Sequence, residues 1–155
     1  MSPEVLAPEK RLRDPALQSQ LLSSLYSAQE RSGYLSEQNL AGIADELGLT
    51  LSHVYDTASF YTLFHTEPVG RFVIQVCEGL SCYLTDGADR LVDHISAKLG
   101  IGPGESTPDG RFALLTVQCL GSCGTAPAMR VNDTLYENLT PDVVDSLLER
   151  LGEEG

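Results

Sequence analysis

The sequence predicts an α/β chain in two parts, an N-terminal three-helix bundle over residues 1–68 and a β-α-β-β-β-α unit over 69–155. Three observations predict it. Apolar residues recur at helical spacing between glycines over 12–65. The pattern shortens to β-branched, strand-like runs after the linker Glu67-Pro68-Val69-Gly70. All four cysteines, Cys77, Cys82, Cys119 and Cys123, lie in the second part.

Asp14 is a good N-cap and Pro15 suits the first helical position, so a helix starts there with Leu17, Leu21, Leu22 and Leu25 on one face. Gly33 stops it. Ser36 opens a second helix carrying Leu40, Ile43, Ala44 and Leu47, and Gly48 ends it. Thr50 or Ser52 caps a third, with Val54, Ala58 and Leu63 inward. Beyond the linker, Arg71-Phe-Val-Ile-Gln-Val76 reads as a buried strand running into Cys77. Residues 86–99 read as a helix with Leu91, Val92, Ile95 and Leu99 inward, followed by a glycine- and proline-rich connection from Gly100 to Gly110. Arg111–Gln118 is a second buried strand, running toward Cys119. Ala128–Val131 and Thr134–Tyr136 read as two edge strands around an Asn132-Asp133 turn. Thr140-Pro141 then opens a final helix with Val143, Val144, Leu147, Leu148 and Leu151.

Charge excludes several partners. Ten Lys+Arg stand against 22 Asp+Glu, a formal net charge of −12. Nothing supplies the basic stripe that nucleic acid or anionic lipid requires. No run approaches the ~18 apolar residues of a membrane span, so no direct membrane insertion is expected. The start, Met-Ser-Pro-Glu-Val-Leu-Ala-Pro-Glu, lacks the pattern of a secretory signal, and a cytoplasmic location is the expectation.

A reducing compartment disfavours structural disulfides, so two close cysteine pairs point to a metal group. The spacing is Cys-x4-Cys, 36 residues, then Cys-x3-Cys. A strand–helix–strand crossover makes its two strands parallel, so both pairs emerge at the same edge of the sheet and can converge. Buried core cysteines would not be paired in loops at strand ends. A thioredoxin-type dithiol wants Cys-x-x-Cys, which is absent. Two candidates remain: a four-cysteine zinc site, making the chain a structural interaction module, and a [2Fe-2S] cluster gripped at each iron by one pair. Zinc knuckles favour Cys-x2-Cys, and the longer loops here suit the wider group. Gly79, Gly121 and Gly124 let amides approach sulfur, Ser81 and Ser122 offer hydroxyl donors, and Leu80 and Leu120 are placed to shield the group from water. Over 66–155 acidic residues outnumber basic ones by 14 to 6, which lowers the reduction potential of a cluster or serves solubility.

Cys77-Glu-Gly-Leu-Ser-Cys82, Cys119-Leu-Gly-Ser-Cys123, Ala58-Ser-Phe-Tyr61, Leu99-Gly-Ile-Gly-Pro-Gly-Glu105, Thr107-Pro-Asp-Gly110 and Val131-Asn-Asp133 together resemble the thioredoxin-like [2Fe-2S] ferredoxin family. That family includes subunits of respiratory NADH:quinone oxidoreductase, complex I. The resemblance covers roughly residues 15–150. It implies that 69–155 is a thioredoxin-like domain, that Cys77 and Cys82 hold one iron, and that Cys119 and Cys123 hold the other. It also implies a partner flavoprotein that binds NADH and FMN, within a peripheral arm at the inner face of the plasma membrane. The chain would then exchange single electrons with that FMN and carry no complete active site of its own. Equivalent diaphorase subunits serve NAD-dependent formate dehydrogenases and hydrogenases, and Tyr136-Glu-Asn-Leu-Thr-Pro141 looks more like the respiratory branch.

Other features carry less. Gly100-Ile-Gly-Pro-Gly104 follows a helix and precedes a strand, the reverse of a dinucleotide fingerprint, and no nucleotide site is predicted. His53, His65 and His94 lack ligand spacing. The aromatics Phe60, Tyr61 and Phe64 suit a core or a partner-facing surface.

Overall fold

The computed structural model describes residues 14–85 and 87–153. The chain separates into two compact units, Met1–Pro68 and Val69–Gly155.

The first unit is helical. Helix α1 (Pro15–Ser32) starts where Asp14 accepts from the Ala16 amide at 2.9 Å, and ends at Gly33, which takes the left-handed φ of 78° that closes the last turn. Helix α2 (Glu37–Leu47) begins in a reciprocal cap: the Asn39 amide donates to Ser36 Oγ, and Asn39 Oδ1 accepts from the Ser36 amide. Helix α3 (Leu51–Phe60) is capped by Thr50. It ends at Phe60, so Leu63 lies beyond the helix rather than on it. The segment after α3 is pinned instead by Gln29, whose amide donates to the Leu63 carbonyl and whose Oε1 accepts from the His65 amide. Leu21, Leu25, Leu40, Ile43, Val54 and Ala58 meet in one core, and Phe64 joins it.

The second unit is a five-stranded sheet in the order β2-β3-β1-β4-β5. Its elements are β1 (Phe72–Cys77), α4 (Leu80–Leu84), α5 (Ala88–Leu99), β2 (Glu105–Ser106), β3 (Phe112–Val117), β4 (Met129–Val131), β5 (Thr134–Tyr136) and α6 (Pro141–Glu153). Strands β1 and β3 run parallel from Phe72↔Phe112 to Cys77↔Val117. Every residue of β1 is buried, which is why it reads as a nearly unbroken apolar run. Its Phe72, Ile74 and Val76 pack in one core with Leu91 and Ile95 of α5 and Leu147 and Leu148 of α6. Gln75 interrupts the run and is 2% exposed; it accepts from Nε and Nη2 of its cross-strand partner Arg130.

The α/β class stands, with three differences of detail. Strand β4 is interior, paired antiparallel with β1 as well as with β5, so only β5 of that hairpin is an edge. Three residues are too few for periodicity to reveal whether one side or both will be paired. The glycine-rich connection contributes β2, a two-residue strand on β3. The first cysteine loop contains the short helix α4. Among the described residues no helix is long and apolar enough to cross a membrane.

Candidate metal centre

Parallel pairing of β1 and β3 brings the cysteine loops together. Cys77 is the last residue of β1 and lies opposite Val117, two residues before Cys119. Its amide donates to the Ala128 carbonyl at 3.1 Å, and the next amide, of Glu78, donates to the Val117 carbonyl at 2.8 Å. Cys82 sits within α4, whose Tyr83 amide returns to the Gly79 carbonyl. Cys123 opens a single 3-10 turn, Cys123–Thr125.

The two cysteine loops meet beyond the ends of β1 and β3. Cys119 Sγ lies 3.3 Å from Cys123 Sγ, Cys77 and Cys82 share one small buried cluster, and a Cβ placed on Gly79 would stand 3.2 Å from Cys119 Cα and 3.3 Å from Cys77 Sγ. All four are free thiols; Cys77 and Cys82 are buried, while Cys119 and Cys123 are exposed. Gly79 N–H donates to Cys77 Sγ at 3.4 Å and Gly121 N–H to Cys119 Sγ at 3.3 Å, one amide from each loop. Gly121 takes a φ of 81° to do so. The environments differ in sign. Burial, followed by the contact with Cys77, pushes the Cys82 thiol up. The Gly121 amide, followed by Cys123, pulls Cys119 down, and Cys119 in turn pushes Cys123 up.

The residues present fit a thiolate-held group. Two loops from distant sequence present four sulfurs and two inward amides, a donor set suited to soft metals. Gly79 is a close approach between the loops: a Cβ there would stand 3.2 Å from Cys119 Cα and Cβ. Among the described residues no three His, Cys, Asp or Glu side chains gather tightly enough to hold one metal ion, so the case rests on these sulfur contacts and amides.

Several expected roles are revised. Leu120 packs against the small cluster of Cys77, Cys82, Ala88 and Ala128, as a shield would. Leu80 does not: it is 75% exposed, because α4 turns it outward with Tyr83 and Leu84. The serines serve the backbone and a carboxylate rather than sulfur. Ser81 Oγ donates to the Cys123 carbonyl at 2.8 Å, and Ser122 Oγ to Glu137. Glu137 has no sequence signal linking it to the cysteines; it lies 14 residues past Cys123 and arrives through the β4–β5 hairpin. Phe60 is 77% exposed and Phe64 is buried, so that aromatic run divides between surface and core.

Residues 9–152 match the family described as thioredoxin-like [2Fe-2S] ferredoxin. The chain is 46% identical over 137 residues to an NADH-quinone oxidoreductase subunit of Rhizobium meliloti (strain 1021), covering 88% of this chain and 81% of that one. It is 38% identical over 134 residues to NADP-reducing hydrogenase subunit HndA of Solidesulfovibrio fructosivorans, covering 86% and 78%. Its backbone resembles part of an NAD+-reducing [NiFe]-hydrogenase crystal structure in the air-oxidized state, with a TM-score of 0.73 and 28% identity. That likeness covers 84% of this chain but only 23% of the hydrogenase chain.

Proposed function

The chain belongs to the thioredoxin-like [2Fe-2S] ferredoxin family, and from that premise we propose that it is an electron-transfer component of an NADH:quinone oxidoreductase. Cys77 and Cys82 would hold one iron of a single cluster, and Cys119 and Cys123 the other. The convergence of both cysteine loops at one edge of the sheet, with Cys119 Sγ 3.3 Å from Cys123 Sγ and Cys77 and Cys82 in one buried cluster, is the observation that carries the reading. When bound, the cluster supplies one-electron transfer. The chain's own residues provide the ligands, the Gly79 and Gly121 amides that favour negative charge on sulfur, and the Leu120 cover.

The partner in this reading is a flavoprotein that oxidises NADH on FMN, within a complex at the cytoplasmic face of the membrane. A ridge on α4 supports it. Leu80, Tyr83 and Leu84 stand 75%, 58% and 73% exposed on the helix that carries Cys82. Apolar side chains so exposed mark a docking surface, and a redox partner seated there would lie close to the sulfurs. A second reading, the diaphorase component of an NAD-linked hydrogenase, is favoured by the HndA identity and the hydrogenase backbone likeness.

The test is direct. The purified chain should hold two irons and two sulfides, accept one electron from dithionite, and stay oxidised with NADH alone. Alanine at any of Cys77, Cys82, Cys119 or Cys123 should abolish or strongly destabilise the cluster. A colourless chain with one zinc would overturn the proposal. Co-purification from the native host separates the respiratory from the hydrogenase reading by naming the flavoprotein's other partners.

A further inference from the structure

We propose that Glu137 is the positioning residue of the second ligand pair, clamping the Cys119–Cys123 loop and placing an uncompensated negative charge beside it; the inference rests on the cluster reading above. Glu137 Oε1 accepts from both Ser122 Oγ and Thr125 Oγ1, the latter at 2.5 Å. These two hydroxyls bracket the turn that carries Cys123 and stand 2.6 Å from each other. The backbone delivers the carboxylate to that place. Asn138 N–H donates to the Thr125 carbonyl at 2.8 Å and Leu139 N–H to the Pro127 carbonyl at 3.1 Å, so 138–139 runs along the loop that follows Cys123. Asn138 adopts φ 50°, a left-handed turn immediately after Glu137.

From the opposite side Ser81 Oγ holds the Cys123 carbonyl at 2.8 Å. The Cys123 turn is therefore gripped from the α4 loop and from the β5 exit at once. Ser122 is covalently next to Cys123, so a shift of its side chain is transmitted to the sulfur position. Glu137 makes no ion pair with any cation among the described residues. A carboxylate without a counter-ion opposes addition of an electron nearby, and so biases the potential downward. The two hydroxyls turn a surface acid into a brace with an electrostatic consequence.

Two substitutions separate the two effects. Glu137→Gln keeps an oxygen acceptor for both hydroxyls and removes the charge. In redox titration its cluster should shift to a higher potential, with amide exchange over 119–125 and iron release to a chelator unchanged. Glu137→Ala removes both, and should speed 119–125 exchange and iron release about fivefold while changing the EPR line shape. Ser122→Ala combined with Thr125→Val should match Glu137→Ala in exchange, and adding Glu137→Ala to that pair should have little further effect. All are measured on the full chain as purified. Unchanged exchange and iron release in Glu137→Ala, in a chain of normal iron content, would overturn the clamp. An unmoved potential in Glu137→Gln would overturn the electrostatic half. A chain that binds no iron or sulfide overturns the cluster reading and the electrostatic half together, whereas the exchange comparison still decides the clamp.

Discussion

Replacing Gly79 by alanine tests whether close approach of the two cysteine loops holds the centre together. The backbone at Gly79, φ −57° and ψ 154°, is open to any residue, so the substitution carries no conformational strain. Space is the obstacle. The added methyl would stand 3.2 Å from Cys119 Cα and Cβ and 3.3 Å from Cys77 Sγ. Carbon contacts are best at about 3.5–4.0 Å, so the loops must part by roughly 0.3 Å or more. Overpacking of this size costs about 1 kcal/mol, the low end of the range for an extra methyl in a packed site. For a chain of this length that lowers Tm by roughly 2–4 °C. Because the displaced atoms carry two of the sulfurs, iron release to a chelator should also quicken. Gly124→Ala is the control. A Cβ there meets nothing within 4 Å, and the change should stay within about 0.5 kcal/mol of the parent. Thermal unfolding and iron per chain are read on both variants side by side. Parental Tm and iron retention in Gly79→Ala, or equal damage from Gly124→Ala, would refute the argument from loop contact.

Charging the α4 ridge, with Leu80→Asp and Leu84→Asp together, should leave iron content intact, because both side chains are already largely in solvent, but abolish co-elution on size exclusion with the flavoprotein partner proposed above. Gly42→Ala, inside α2 with nothing within 4 Å of its Cβ, should stabilise the helical unit by about 0.5–1 kcal/mol in denaturant unfolding. Between α5 and α6, Asp145 accepts from His94 at 2.7 Å and pairs with Lys98 at 3.0 Å, while Lys98 also reaches Glu149. The His94 contact, then Lys98, holds the Asp145 carboxyl below the usual range. Its contribution is present above the unfolded carboxyl value of about 3.9 and is lost as pH falls through the lower native value. Asp145→Asn should therefore lower Tm at neutral pH and flatten its decline below about pH 4, as measured by unfolding across roughly pH 2–7.

The amino-acid order alone determined most of the local structure and the ligand candidates. Asp14-Pro15, Ser36 and Thr50 start helices, and Gly33 and Gly48 end them, because caps act within three or four residues of where they stand. Two apolar runs that stop at cysteine loops, joined by a helical stretch, imply parallel strands and hence convergence of both pairs at one sheet edge. Tertiary structure decided what depends on partners far along the chain. β4 is interior because β1 offers it a free edge on the side away from β3, which three residues of pattern cannot disclose. Leu80 faces solvent because Cys82 and Ala88 take the buried side of their segment, leaving the ridge outside. Ser81 and Ser122 meet a carbonyl and a carboxylate rather than sulfur, and the carboxylate comes from Glu137, beyond two further strands. Hydropathy and capping are properties of neighbours in sequence; these meetings are set by the sheet register that brings separate segments to one place.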